Sequence, residues 1–184
     1  MPEGIPIPGK VKPTERQVRR AQLGQSEDQR FPEKKYEKGK DHPGILICPR
    51  CHAISEIKRW YLDEAKYQEL VHKPGVEEVV CPGCRRIEDK VYEGEVVLKS
   101  PLLDEVKEQA LSLIHHTEAE ARQSNPFARL ASVESVDGEI RVLTTTRWLA
   151  QRIGKEFKKA FDGDLVIDNL PNEKFSRVRW TRAA

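Results

Sequence analysis

The chain has 184 residues, 38% hydrophobic and 34% charged, a polar balance beside the roughly 45–50% and 25% of ordinary globular domains; that suits one compact domain or two small ones, and the absence of any apolar run of about 18 residues excludes a membrane-spanning helix. The net charge of +2 is unevenly spread: residues 1–42 carry ten Lys/Arg against seven Asp/Glu, residues 139–184 ten against six, and residues 101–138 three against seven. Two basic ends around an acidic middle suit a polyanion partner, although plain solvated charge fits the same pattern.

Residues 1–43 read as a flexible basic tail. Prolines recur at 2, 6, 8, 13, 32 and 43, and large apolar residues are too sparse to bury a core. Thr14 to Leu23 fits a short basic helix with Thr14 as N-cap. The opening Met1-Pro2-Glu3-Gly4-Ile5-Pro6 lacks the basic stretch and apolar run of a secretory leader. A cytoplasmic protein is expected, with no membrane partner. In that reducing compartment paired cysteines favour metal over disulfides.

Residues 44–100 read as a metal-binding module. Ile45 to Ile47 is a short strand leading into Cys48, and Val76 to Val80 a strand leading into Cys81. Between them, Lys58 to Val71 reads as a helix or long turn anchored by Trp60, Tyr61, Leu62, Tyr67 and Leu70. Val91 to Leu98 alternates as a strand does.

Residues 101–184 read as a small α+β domain. Leu103, Val106, Ala110, Leu113, Ile114, Thr117 and Ala121 recur by threes and fours, which predicts an amphipathic helix over 102–123, capped by Ser100 with Pro101 in the first turn. Leu130 to Val136 and Glu139 to Thr145 predict a hairpin on the turn Asp137-Gly138. A threonine, Thr145 or Thr146, then caps a helix from Arg147 to Phe161 whose buried stripe is Leu149, Ile153, Phe157, Ala160 and Phe161. Strands at Asp164 to Asp168 and Phe175 to Thr181 complete an α-β-β-α-β-β sandwich with both helices on one face of an antiparallel sheet.

The chemistry concentrates in four cysteines. Cys48-Pro49-Arg50-Cys51 and Cys81-Pro82-Gly83-Cys84 are separated by 29 residues, a spacer longer than the common 15–20 of zinc ribbons because of the insertion at 58–71. Thiolates three positions apart in a tight turn reach one ion, and two such turns complete a tetrahedral four-sulfur site. The expected cofactor is one Zn2+, in a zinc-ribbon or treble-clef-like module. Four sulfurs leave no position for water or substrate, so the ion is structural. Gly83 is expected to supply a positive φ. Two redox pairs, free thiols or an iron–sulfur cluster are the alternatives, and His52 is a substitute ligand only if a cysteine is displaced.

Outside the cysteines no catalytic motif stands out: no phosphate-binding glycine loop, no activated Ser or Cys nucleophile and no carboxylate dyad. A binding protein without a small-molecule substrate is expected. His115 and His116 are adjacent on a helix and point about 100° apart, so they do not converge on a metal. Arg85 and Arg86 follow the second cysteine pair, and Lys58 and Arg59 follow the first, as a basic rim for phosphates. Arg147 and Lys155 on the second long helix, with Lys158 and Lys159, form a further basic stripe, and Arg177 and Arg179 share one strand face. Trp60, Trp148 and Trp180 are either core residues or stacking surfaces for bases.

The Cys48-Pro-Arg-Cys51 knuckle, Trp60, Cys81-Pro-Gly-Cys84-Arg85-Arg86 and the strand Tyr92 to Leu98 resemble the zinc region of the large-ribosomal-subunit export adaptors, the NMD-three family of archaea and eukaryotes. Arg141 to Gly154 is also similar to a group of bacterial proteins of similar length related to that family. The resemblance covers roughly residues 45–182. It implies binding to the large ribosomal subunit and its rRNA near the tRNA sites, with ribosomal proteins as further contacts, in hibernation, storage, quality control or assembly. That family has additional cysteine pairs upstream and further domains downstream, so nuclear export does not carry over. A protein–protein adaptor in transcription or degradation is the alternative.

Overall fold

The computed structural model describes residues 44–57, 59–170 and 174–183. The expected tail of residues 1–43 and the rim residue Lys58 lie outside the described residues. Among the described residues two small sheets and four α-helices give the expected α+β class, and both sheets belong to one unit, Pro43–Ala184.

The first sheet has the order β3-β2-β1-β4, formed by β1 (Leu46–Ile47), β2 (Ala53–Glu56), β3 (Arg59–Leu62) and β4 (Glu77–Glu78). β4 runs parallel to β1, and the other neighbours are antiparallel. The span 58–71, expected as a helix or long turn, divides in two. Trp60, Tyr61 and Leu62 suit a pleated, half-buried surface and pair with Ser55, Ile54 and Ala53. Asp63 then starts α1 (Glu64–Leu70) by accepting the N–H of Lys66. Ile47, Ile54, Tyr67 and Leu70 form the small core beneath.

The second sheet has the order β6-β7-β5-β9-β8, from β5 (Gly94–Lys99), β6 (Leu130–Val136), β7 (Glu139–Thr144), β8 (Asp164–Leu170) and β9 (Phe175–Thr181). The strand that the sequence placed in the cysteine module is thus the centre of this sheet. β5 pairs antiparallel with β7 and parallel with β9, so the sheet is mixed and not purely antiparallel. Asp137 and Gly138 turn between β6 and β7 with φ of 46° and 72°, as a type I′ turn requires.

The long helix expected over 102–123 is interrupted. Ser100 caps a 3-10 turn at Pro101–Leu103, and α3 proper runs Lys107–Ser124, burying Ala110, Ile114, Thr117 and Ala121. The last helix, α4 (Arg147–Phe161), has Thr146 as its N-cap, accepting the N–H of Leu149. It packs directly on β5, β7, β8 and β9, while α3 lies mainly along α4. Gly154 permits this close approach, since a Cβ there would stand 2.3 Å from Val178 Cγ1. The core joins Leu149, Ile153 and Phe157 to Val96, Leu98, Ile140, Val142, Val178 and Trp180. Ala160, expected in the buried stripe, is exposed. Among the described residues no helix is long and apolar enough to cross a membrane.

Candidate metal centre

The first cysteine pair sits in the turn between β1 and β2. Cys48 N–H donates to Ala53 O at 2.8 Å and His52 N–H to Cys48 O at 2.9 Å. His52 takes a φ of 60°, so the left-handed position of this knuckle falls immediately after Cys51. The second pair opens α2 (Pro82–Glu88). Cys81 is the N-cap, its Sγ accepts the N–H of Cys84 at 3.4 Å, and Pro82 takes the first helical position. A hairpin knuckle facing a knuckle at a helix start is the treble-clef arrangement.

Gly83 lies inside α2 and its φ is not positive, contrary to expectation. Glycine there lets the turn pack closely on the chain at 126–127, where a Cβ would stand 3.0 Å from Phe127 Cα and 3.3 Å from Pro126 O.

The four Sγ atoms lie within 4.8 Å of one another. Cys48 and Cys84 are 3.9 Å apart, Cys51 and Cys81 3.4 Å. A tetrahedron with metal–sulfur bonds of about 2.3 Å has edges of about 3.8 Å, so the sulfurs already have the spacing of a four-coordinate site. The cluster can hold one metal ion. Three of the residues are buried, and Cys51 is half-buried, lining a cleft of about 300 Å³ with His52, Glu64 and Arg122.

The thiols in contact share protons unequally. Hydrogen bonds from Cys81 and then Cys84 hold Cys51 far below the ordinary thiol range. Its hydrogen bond with Cys51 drives Cys81 far up, and Cys84 is pushed up to about 11, first by its hydrogen bond with Cys51. A bound cation resolves this competition, since a coordinating thiol is deprotonated outright.

Arg129, between α3 and β6, was not legible as part of the site. Its Nη1 lies 3.7 Å from Cys84 Sγ, and its Nε 3.5 Å from Glu118 Oε1. Burial acts to lower its pKa, but the charges of Cys84, Cys51 and Glu118 outweigh it and the net shift is upward. Four thiolates around a divalent ion leave two negative charges, and Arg129 offsets part of them. The same segment is locked to the start of α4. Thr145 Oγ1 donates to Phe127 O at 2.6 Å and accepts Arg129 N–H at 2.9 Å.

Arg86, expected in the basic rim, is turned inward. Its Nη1 donates to Thr145 O at 2.9 Å and pairs with Glu93 at 3.0 Å. Arg85, one position earlier, is exposed on α2, as is Arg59 on β3. On the helix-free face of the second sheet, Arg177 pairs with Glu95 at 3.7 Å and stands opposite Asp168, while Arg179 is exposed. These cations therefore do not form one continuous rim.

The outer face of α4 is different. Lys155, Lys158 and Lys159 are exposed, and Arg147 places its guanidinium 4.9 Å from the ring centroid of Trp148. The three tryptophans separate: Trp180 is 1% exposed, Trp60 packs on the cysteine cluster, and Trp148 is 64% exposed.

His52 stacks on Tyr67 with centroids 4.1 Å apart and bonds the Glu64 carboxylate at 2.9 Å, a structural post and not a ligand. His115 and His116 are exposed, and His116 pairs with Glu120 at 3.1 Å. Neither a scan of protein-family models nor a search of curated proteins finds a match to the chain.

Proposed function

We propose that this is a ribosome-associated, rRNA-binding protein of the large subunit, acting in hibernation, storage or assembly, with one structural zinc ion in its four-cysteine centre. Zinc suits a closed tetrahedral set of four thiolates, which has no open position for chemistry. The protein is accordingly a cytoplasmic binder with no catalytic role. The observation that carries the RNA part is the outer face of α4, where exposed Lys155, Lys158 and Lys159 share a surface with Trp148. Lysines supply phosphate contacts and the salt dependence that comes with them. Arg59 and Arg85 are additional exposed cations near the metal centre, and the likeness of the cysteine knuckles to the NMD-three family points to the same partner.

Two measurements test it. Metal analysis of the purified chain is expected to give one zinc per molecule; absence of zinc removes the metal part. Sucrose-gradient sedimentation of lysate is expected to place the protein with large subunits at low salt and release it at high salt. Absence from every ribosomal fraction at low salt removes the ribosome part.

A protein–protein adaptor is favoured by one observation: Ile57 is 98%, Val136 67% and Val166 50% exposed. Reversing charge at Lys155 and Lys158 separates the two readings, since RNA binding weakens and adaptor binding through those apolar residues does not.

A further inference from the structure

We infer that α4 recognises unpaired RNA, with a nucleobase stacked on Trp148 and a neighbouring phosphate on Lys155; this inference rests on the RNA-binding reading above. The sequence of α4 sends its large apolar residues to the sheet: Leu149, Ile153 and Phe157 are at most 1% exposed. Trp148 alone among the large apolar residues of this helix points outward, at 64% exposure. Positions 148, 152, 155 and 159 are spaced by four, three and four, so they form one stripe. Trp148 and Lys155 are two turns apart, about 10 Å along the axis.

The stripe carries three basic residues below the indole, Arg152, Lys155 and Lys159, of which Lys155 is the unpaired one. Arg152 is neutralised by Glu120 at 2.6 Å and Lys159 has Glu156 at 3.8 Å. Among the described residues Lys155 and Lys158 have no ion pair. The Arg147 guanidinium lies 4.9 Å from the indole centroid, and Trp148 remains 64% exposed. A stacking surface beside the free ammonium group of Lys155 matches the two halves of a nucleotide, a π-face and an anion.

Base pairing decides the form of the RNA. In an A-form duplex the base faces are buried in the stack, and proteins read backbone and shape instead. Only an unstacked base offers its face to an indole, as in single-strand binding proteins. A protein partner fits less well. Tryptophan is common at protein interfaces, but lysine is depleted from their cores, and here lysines line the stripe.

The test uses the full-length, metal-loaded chain with a labelled single-stranded RNA of about 12 nucleotides, a length within known single-strand site sizes, and its blunt duplex. The strand is expected to bind more tightly than the duplex and to quench tryptophan emission. Trp148→Ala should weaken strand binding roughly 5- to 150-fold, the equivalent of one stacked base. Trp148→Phe should retain most of it, because a π-face remains. Circular dichroism checks that both variants fold, and Lys155→Glu provides an independent variant should either fail. Unchanged strand affinity in Trp148→Ala, or equal binding of duplex and strand, overturns the inference while leaving RNA binding intact. Ribosome sedimentation with no binding of either RNA also overturns it. Loss of sedimentation as well overturns the RNA-binding reading itself.

Discussion

Arg129 shows how one residue serves two tasks, one with its side chain and one with its backbone. It stands 3.7 Å from Cys84 Sγ and bonds Thr145 through its backbone, joining the metal centre to the start of α4. Partners just outside a metal's ligands commonly change affinity 10–100-fold when removed. Arg129→Gln is therefore expected to weaken metal binding by about that factor, measured by competition with a chromogenic chelator, with the helix content kept. Among the ligands themselves Cys51 is the half-buried one. Limited alkylation followed by mass spectrometry should modify Cys51 before Cys48, Cys81 or Cys84; random order would contradict the geometry. The cysteines were readable because two thiols three residues apart are a local pattern. Arg129 was not, because it comes within reach of Cys84 only when α3 and β6 have packed, 45 residues downstream. Arg85 and Arg86 were read alike, but neighbours on a helix point about 100° apart, and tertiary packing decided which one turned inward.

At the level of the element, α4 was the most legible part of the chain. Its capping threonine, its bounds and most of its buried stripe follow from period 3.6 and the N-cap rule. Its packing distance follows from Gly154. Gly154→Ala gains about 1 kcal/mol in helix propensity but forces a methyl against Val178, and overpacking costs about 1–3 kcal/mol. A net loss of stability is expected in urea unfolding, and it should shrink in a Val178→Ala background, where the methyl has room. An equal cost in both backgrounds would show that the contact is not the cause. The alternation over Val91 to Leu98 predicts a strand within the cysteine module, whereas β5 (Gly94–Lys99) sits in the second sheet. Alternation says which residues face inward, as Val96 and Leu98 do, and says nothing of which sheet receives them. In the span 58–71 the helix holds only over Glu64–Leu70, and Arg59–Leu62 is a strand, because an aromatic run too short to show a period fits strand and helix equally.

For the whole molecule, the cysteine centre is expected to couple metal retention to pH. Ligand thiols must lose protons to bind metal, so acidification favours the protonated thiols and releases the ion. Chelator or acid is expected to alter Trp60, which packs on the cluster, before Trp180, which sits in the other core. Emission from variants retaining one of these tryptophans measures that order; simultaneous change would mean that the two cores unfold as one. For comparable structural sites metal binding contributes on the order of 10 kcal/mol of folding free energy, so the module is expected to depend on its ion.

The parallel pairing of β5 with β9 also has a consequence for how the chain reaches its native state during synthesis. Its partners are about eighty residues apart in sequence, a separation of the kind that slows folding. All four thiols, and the strands that present them, leave the ribosome before β9 is made. The ion can therefore be captured by a nascent chain whose larger sheet still lacks two strands. Until those arrive, one edge of β5 is open to wrong partners, and a pause late in translation would lengthen that exposure.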